Sequence, residues 1–286
     1  MKRRMISVLI AMALLFNAPL TMPIASFEGK KAKAAVDTGT GYKVKEVSLG
    51  YYHSAAITEN GDLYCWGYNS NGQIGNGTTE NQTIPIKVLE SVKAVSLGDC
   101  YSAAITENDD LYCWGDNSDG QIGSGTTGNQ LTPVKVLGNV KTVSLGDYHS
   151  AAITKNGDLY CWGDNDFGQI GNDTTKDQSI PVKVLGNVKT VSLGGAYSAA
   201  ITEKGDLYCW GYNRGGEIGN GTTQDQSTPV KVLGNVKTVS LSLGIDNYSA
   251  AITENGDLYC WGNDFAGQIG NGTTGNQLTP VKVLGN

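Results

Sequence analysis

After Met22 the chain contains no methionine, and its 286 residues include only two histidines, His53 and His149. Beyond the N-terminal region no apolar run approaches the ~20 residues that a membrane-spanning helix needs. Apolar residues nowhere recur with the period of an amphipathic helix. No glycine-rich phosphate loop and no Ser/His/Asp arrangement can be traced. These absences exclude helical bundles, phosphate-loop enzymes and serine hydrolases. The two histidines occupy one repeat slot that other copies fill with Tyr101, Tyr197 and Tyr248. A slot that accepts either ring points to packing rather than metal ligation. Asp116-Asn-Ser-Asp-Gly120 lacks the alternating oxygen ligands and terminal Glu of a calcium loop and reads as a turn. Asn76-Gly-Thr78 matches a glycosylation sequon but is turn chemistry. No catalytic residue, metal or cofactor is expected.

The first 34 residues have their own composition. Lys2, Arg3 and Arg4 precede a stretch, Met5 to Phe16, that is apolar apart from Ser7, and Ala32 and Ala34 supply small residues at cleavage-site spacing. That order predicts a secretory signal peptide over 1–34, with Ala25 as an alternative cleavage point and 35–43 as a short leader. An apolar run this short does not reach across a bilayer, so no membrane association is expected after cleavage. Six basic residues and Glu28 leave with the peptide, which takes the net charge from −6 to −11. Nucleic-acid binding leans on Lys/Arg contacts to phosphate, and no basic stripe is left to make them. The expected location is extracellular or the cell envelope, and the long leader fits a Gram-positive bacterial exporter.

What the chain has in abundance is one motif. Trp66, Trp114, Trp162, Trp210 and Trp261 recur at intervals of 48, 48, 48 and 51 residues. They define units 44–91, 92–139, 140–187, 188–235 and 236–286 within one domain over 44–286, and such periods signal stacked or radial repeats. Cys65, Cys113, Cys161, Cys209 and Cys260 share one slot of that unit. Equivalent slots on neighbouring sheets are ~10 Å apart, too far for a disulfide, so they read as small buried apolar side chains. Cys100 alone lies outside the pattern.

Within a unit the local chemistry is β. Ser54–Thr58 and Leu63–Gly67 flank Asn60-Gly61, a signal for a two-residue type I′ hairpin that would set Ile57 against Tyr64 and Ala55 against Trp66. Val44–Ser48 and Ile86–Leu89 add two strands, with Pro85, Pro133, Pro181, Pro229 and Pro280 each just ahead of the last one. Both faces of the resulting sheet are mostly apolar, so it must be stacked between others. The expected fold is an all-β propeller of five four-stranded blades. The terminal units carry no polar caps, which predicts a closed ring with Val44–Ser48 completing a blade beside Val281–Leu284.

The run from His53 to Gly67, then Asn69, then Gly72-Gln-Ile-Gly-Asn-Gly-Thr78, resembles the repeat of the regulator of chromosome condensation family, and all five units share it. The resemblance implies a β-propeller, in a family that includes a nuclear guanine-nucleotide exchange factor and a secreted bacterial inhibitor of β-lactamases. The family ring usually has seven blades, and this chain departs from that with five.

Strand alternation sends the hairpin turns to one face and the loops 50–53 and 68–85 to the other. The turns hardly vary between units, whereas the loops do. The variable face carries Tyr51, Tyr52, His53, Tyr68, Tyr101, Tyr148, His149, Phe167, Tyr197, Tyr212, Arg214, Tyr248 and Phe265. Tyr-rich loops supported by Gly and Asn give rigid contact area at low entropy cost. The expectation is therefore a secreted, non-enzymatic interaction module that binds another protein through this face. Guanine-nucleotide exchange by family analogy and extracellular glycan binding are the alternatives.

Overall fold

The computed structural model describes residues 41–243 and 247–285; the expected signal peptide lies outside the described residues. Tyr42–Asn286 forms one compact unit. Its strands come in fours. The first blade holds β1 (Val44–Leu49), β2 (His53–Thr58), β3 (Leu63–Gly67) and β4 (Gln82–Leu89). The second holds β5 (Val92–Leu97), β6 (Tyr101–Thr106), β7 (Leu111–Gly115) and β8 (Gln130–Leu137). The third holds β9 (Val140–Leu145), β10 (His149–Thr154), β11 (Leu159–Gly163) and β12 (Gln178–Leu185). The fourth holds β13 (Val188–Leu193), β14 (Tyr197–Thr202), β15 (Leu207–Gly211) and β16 (Gln226–Leu233), and the fifth β17 (Val236–Leu241), β18 (Tyr248–Thr253), β19 (Leu258–Gly262) and β20 (Gln277–Leu284). Each set is a four-stranded antiparallel sheet in chain order. The first strands of successive blades approach one another, as the inner strands of a propeller do.

The hairpin register differs from the expected one by a residue. Ile57 faces Leu63, Ala55 faces Cys65 and Ser54 faces Trp66. The cause is the turn. Gly61 N–H donates to Thr58 C=O, Thr58 N–H donates to Asp62 C=O, and Gly61 sits at φ 81°. This is a three-residue loop with a left-handed glycine and a bulge, not a two-residue type I′ turn. The prolines are also displaced from the expected strand start. Each fourth strand begins three residues ahead of its proline, as β4 does at Gln82 ahead of Pro85, and the pairing with β3 shifts register between Cys65 and Gly67. The proline therefore lies at an irregularity on an outer edge strand, where a missing N–H costs no ladder bond.

The core lies between blades. Ala55, Ile57, Leu63, Cys65 and Ile74 on one face of the first blade pack against Val92, Val95, Leu97, Ala104 and Trp114 of the second. The same packing recurs at the next three junctions. Small residues are required because two sheets must approach closely. The repeat cysteines fill such positions as free thiols, and burial pushes Cys65 up to about 12.

The expected ring closure is not what the structure shows. β1 pairs with β2 and β20 with β19, each inside its own sheet, so the N-terminal strand does not complete the last blade. Val44, Val47 and Leu49 are exposed, whereas Val92, Val95 and Leu97, their equivalents one blade on, are buried. At the other end Ile252 is 38% exposed where Ile201 is fully buried. Among the described residues the five blades form an open arc with one uncovered face at each end. Sequence cannot distinguish this from closure, because burial here depends on the neighbour and the end units keep the interior pattern.

Candidate functional site on the loop face

The loops after β3, and their four counterparts, are held by one buried side chain each. Asn69 N–H donates to Asn81 Oδ1 at 2.9 Å, and its Nδ2 donates to the carbonyls of Thr78 and Glu80 at 2.9 and 3.0 Å. Its Oδ1 accepts from Ile74 N–H at 2.8 Å. Asn117, Asn165 and Asn213 repeat the arrangement, and Asp264 stands in the fifth blade. An asparagine can donate and accept at once, so one residue closes a long loop without regular structure. The variable side chains are displayed from this fixed base.

Two aromatic clusters result. Tyr51 and Tyr52 meet edge to face with centroids 4.4 Å apart, and Tyr52 meets Tyr68 the same way at 6.0 Å. With Asn71, Asn81, Asp99 and Cys100 they line a cavity of about 610 Å³ between the first two blades. Farther along the arc Phe167 and Tyr212 stack edge to face at 5.1 Å, with the Arg214 guanidinium 5.9 and 5.7 Å from the two rings. Such cation–π contacts contribute ~0.5–1 kcal/mol at exposed sites. Tyr148 is partly exposed, and burial together with the nearby carboxylates of Asp99 and Asp147 raises its hydroxyl pKa. Phe265 is exposed on the fifth blade.

Carboxylates separate the two faces. At the hairpin turns the aspartates are neutralised by lysines of the fourth strands: Asp62–Lys87, Asp110–Lys135, Asp158–Lys183, Asp206–Lys231 and Asp257–Lys282, at 2.8 to 3.0 Å. On the loop face acids sit beside acids. Burial raises the Asp99 pKa, and Asp147 and Asp116 add to that. Asp164 is pushed up to about 6, by burial first and then by the field of Asp166, Asp177 and Asp119. The carboxylate oxygens of Asp164, Asp166 and Asp177 lie within 4.8 Å of one another. Two of these groups also accept loop hydrogen bonds, Asp164 from Asp166 N–H and Asp177 from Asn165 N–H. That use accounts for the placement of Asp164 and Asp177. The Cys100 thiol is pushed up to about 11 by burial and by Asp99 and Asp116, so it stays protonated at neutral pH.

The expected face residues divide accordingly. Tyr51, Tyr52, Tyr68, Tyr148, Phe167, Tyr212, Arg214 and Phe265 all reach the loop face, in the places just described. The ring slot at the start of each second strand does not. His53, Tyr101, His149 and Tyr197 are buried and Tyr248 is half-buried. His53 Nε2 meets Ser102 Oγ at 2.9 Å and His149 Nε2 meets Ser198 Oγ at 2.9 Å. Tyr101 O–H donates to His149 C=O at 2.7 Å, and Tyr197 O–H to Tyr248 C=O at 2.8 Å. The rings of His53, Tyr101, His149 and Tyr197 couple blades and are withdrawn from any partner. Asn71, Asn81, Asp99 and Cys100 were not expected as lining residues. They lie in the same variable loops, but aromatic content alone does not select them.

Residues 23–285 match the RCC1-like domain family. Among solved structures, human WBSCR16 is similar with a TM-score of 0.72 and 26% identity, covering 85% of this chain and 67% of that one. Prp20p of Saccharomyces cerevisiae has a TM-score of 0.73 at 22% identity, covering 87% and 65%, a likeness of fold. Among curated proteins the human E3 ubiquitin-protein ligase HERC2 is 38% identical over 74 residues, 25% of this chain and 1% of its own length. The dog X-linked retinitis pigmentosa GTPase regulator is 48% identical over 46 residues, 16% of this chain and 5% of its own. The chain thus spans a small fraction of the curated relatives it matches and about two thirds of the solved ones. With five blades in repeat register and a match over nearly its whole length, the chain belongs to the RCC1-like domain family.

Proposed function

We propose that the chain is a secreted, non-enzymatic interaction module that takes a basic segment of a partner protein on its loop face. The observation that carries this reading is the cavity that Tyr51, Tyr52 and Tyr68 line together with the half-buried Asp99. Ring faces attract a cation, and a carboxylate partly withdrawn from water strengthens that attraction. The same combination excludes acidic partners. The second cluster is already filled by Arg214, so it models within the chain how a guanidinium sits on such rings. Prp20p, whose binding properties to Gsp1p and histones have been described, shares the fold. Guanine-nucleotide exchange rests on family analogy alone and has no residue of this chain behind it.

The test is a titration of the purified chain with Lys/Arg-rich and Glu-rich peptides, followed by tyrosine fluorescence. Basic peptides should bind, with affinity falling steeply as salt rises and falling about tenfold in Tyr52→Ala and in Asp99→Asn. Equal binding of acidic peptides, or no effect of either substitution, would reject the reading. Tyr and Asn side chains also suit sugars, so a glycan array is the companion measurement. Binding there that survives Asp99→Asn would favour the glycan reading instead.

A further inference from the structure

Each junction inside the arc is made from the same two halves. The leading blade presents a backbone carbonyl, a loop N–H and a glycine-floored socket. The following blade presents an indole, a serine hydroxyl, a strand carbonyl and a Val-Val-Leu stripe. At the first junction Trp114 Nε1–H donates to Gln73 C=O at 2.9 Å and Ser102 O–H to the same oxygen at 2.8 Å. Gly77 N–H donates to Leu131 C=O at 2.9 Å. The indole lies so close to Gly75 that a Cβ there would come 2.7 Å from Nε1. The other three junctions repeat the indole and hydroxyl bonds through Gln121, Gln169 and Glu217.

The ends of the arc hold one half each. The fifth blade carries the leading half. Gln268 occupies the carbonyl position, and a Cβ on Gly270 would meet nothing nearer than Val283 at 3.5 Å, so no ring of the described residues fills that socket. A Cβ on Gly272, the loop position equivalent to Gly77, would meet nothing among the described residues within 4 Å, whereas one on Gly77 would meet Thr132 of the next blade at 3.7 Å. The first blade carries the following half. Its Trp66 and Ser54 are only partly buried, and its stripe is exposed: Val44 55%, Val47 65% and Leu49 76%, against 0%, 8% and 9% for Val92, Val95 and Leu97. A contiguous apolar stripe of this kind marks an interaction site.

We propose that a second copy of this chain fills these ends, the fifth blade of one copy receiving the first blade of the next, head to tail. The contact continues an interface that the molecule already makes four times with the same residues. It is heterologous, joining different patches on the two copies. Such contacts close into a ring when their rotation divides the circle and otherwise run on as an open helix. This inference is independent of what binds on the loop face.

Polarity makes the proposal testable. Val47→Lys/Leu49→Lys disables the first-blade face at exposed positions and leaves the fifth-blade face intact. Ile252→Lys does the reverse, and Gly270→Asn, which tolerates positive φ and fills the socket, is a second means to the same end. Mass in solution is followed against concentration for the purified chain, each variant alone and equimolar mixtures, with near-UV circular dichroism to report folding. The parent should grow beyond one copy. Each variant alone should stay at one copy. A first-blade variant mixed with a fifth-blade variant should give twice the single-copy mass and nothing larger. A parent that remains at one copy throughout, a variant that dimerises alone through like faces, or a mixture that does not associate would overturn the proposal.

Discussion

The indole Nε1–H of Trp162 donates to the carbonyl oxygen of Gln121 at 2.9 Å, across a blade boundary and 41 positions along the chain. Ser150 O–H shares that acceptor at 2.8 Å. Removing the indole from this junction should cost about 1–3 kcal/mol, since a buried hydrogen bond is lost and a void is left. Trp162→Phe should therefore lower the urea midpoint clearly. Trp66→Phe, measured at high dilution, should shift it by less than ~1 kcal/mol, as expected for a site without such a partner. Equal losses at the two positions would contradict the one-sided junctions described above.

Gly123 and Gly270 are sequence equivalents with opposite tolerance. Both have positive φ, 82° and 78°, but a Cβ at Gly123 would lie 2.7 Å from Trp162 Nε1. Gly270→Ala should cost ~1 kcal/mol for left-handed backbone. Gly123→Ala should cost that and ~1–3 kcal/mol more for overpacking. Thermal unfolding of the two variants side by side measures the difference.

Burial lowers His53 to about 4 and His149 to about 3. In the unfolded chain a histidine takes its proton near pH 6.5. The unfolded state therefore binds more protons as pH falls below that value, and stability present at neutral pH is lost progressively down to those folded values. At pH 5 the loss is about 2 kcal/mol per histidine. His53→Tyr/His149→Tyr installs the ring found in the other three blades. The drop in stability between pH 7 and pH 5 should shrink by about 4 kcal/mol in that variant. An unchanged slope in chemical denaturation would show that these rings protonate in the folded state.

Asp264 does the work of an asparagine incompletely. It accepts from Ile269 N–H at 2.9 Å, but a carboxylate cannot donate to the loop carbonyls that Asn69 reaches in the first blade. Asp264→Asn should stabilise the fifth blade by about 1–3 kcal/mol through two restored hydrogen bonds. Slower amide exchange in β19 and β20 and a raised melting temperature would register it.

The number of blades, their strands and the face that varies are legible in the sequence because five copies agree in register. What is not legible turns on single residues. Asn60-Gly61 signals a two-residue turn, but only Gly61 takes positive φ, and that moves every cross-strand pair by one. Tyr52 and His53 are neighbours in the chain, yet one ring stands in solvent and the other is buried against Ser102. Tyr52 ends the loop and His53 begins β2, and an aromatic tally does not see that boundary. The stripe Val44, Val47 and Leu49 has the same composition as Val92, Val95 and Leu97, so its exposure is a property of the missing neighbour and not of its own residues.

Asp109 shows how errors in one copy are absorbed by the others. It stands where the other turns have glycine, at φ 63°, and its carboxylate bridges Lys93 of its own blade and Lys155 of the next. Because the buried apolar core joins adjacent copies, the chain behaves as a row of coupled units whose stability is set in large part by nearest neighbours. Unfolding then has a direction. The outermost units, each supported on one side, open first, and amide protection should climb from both ends toward the third blade. A gradient of that shape makes the middle of the chain its memory of the fold, and leaves the two ends free to diverge.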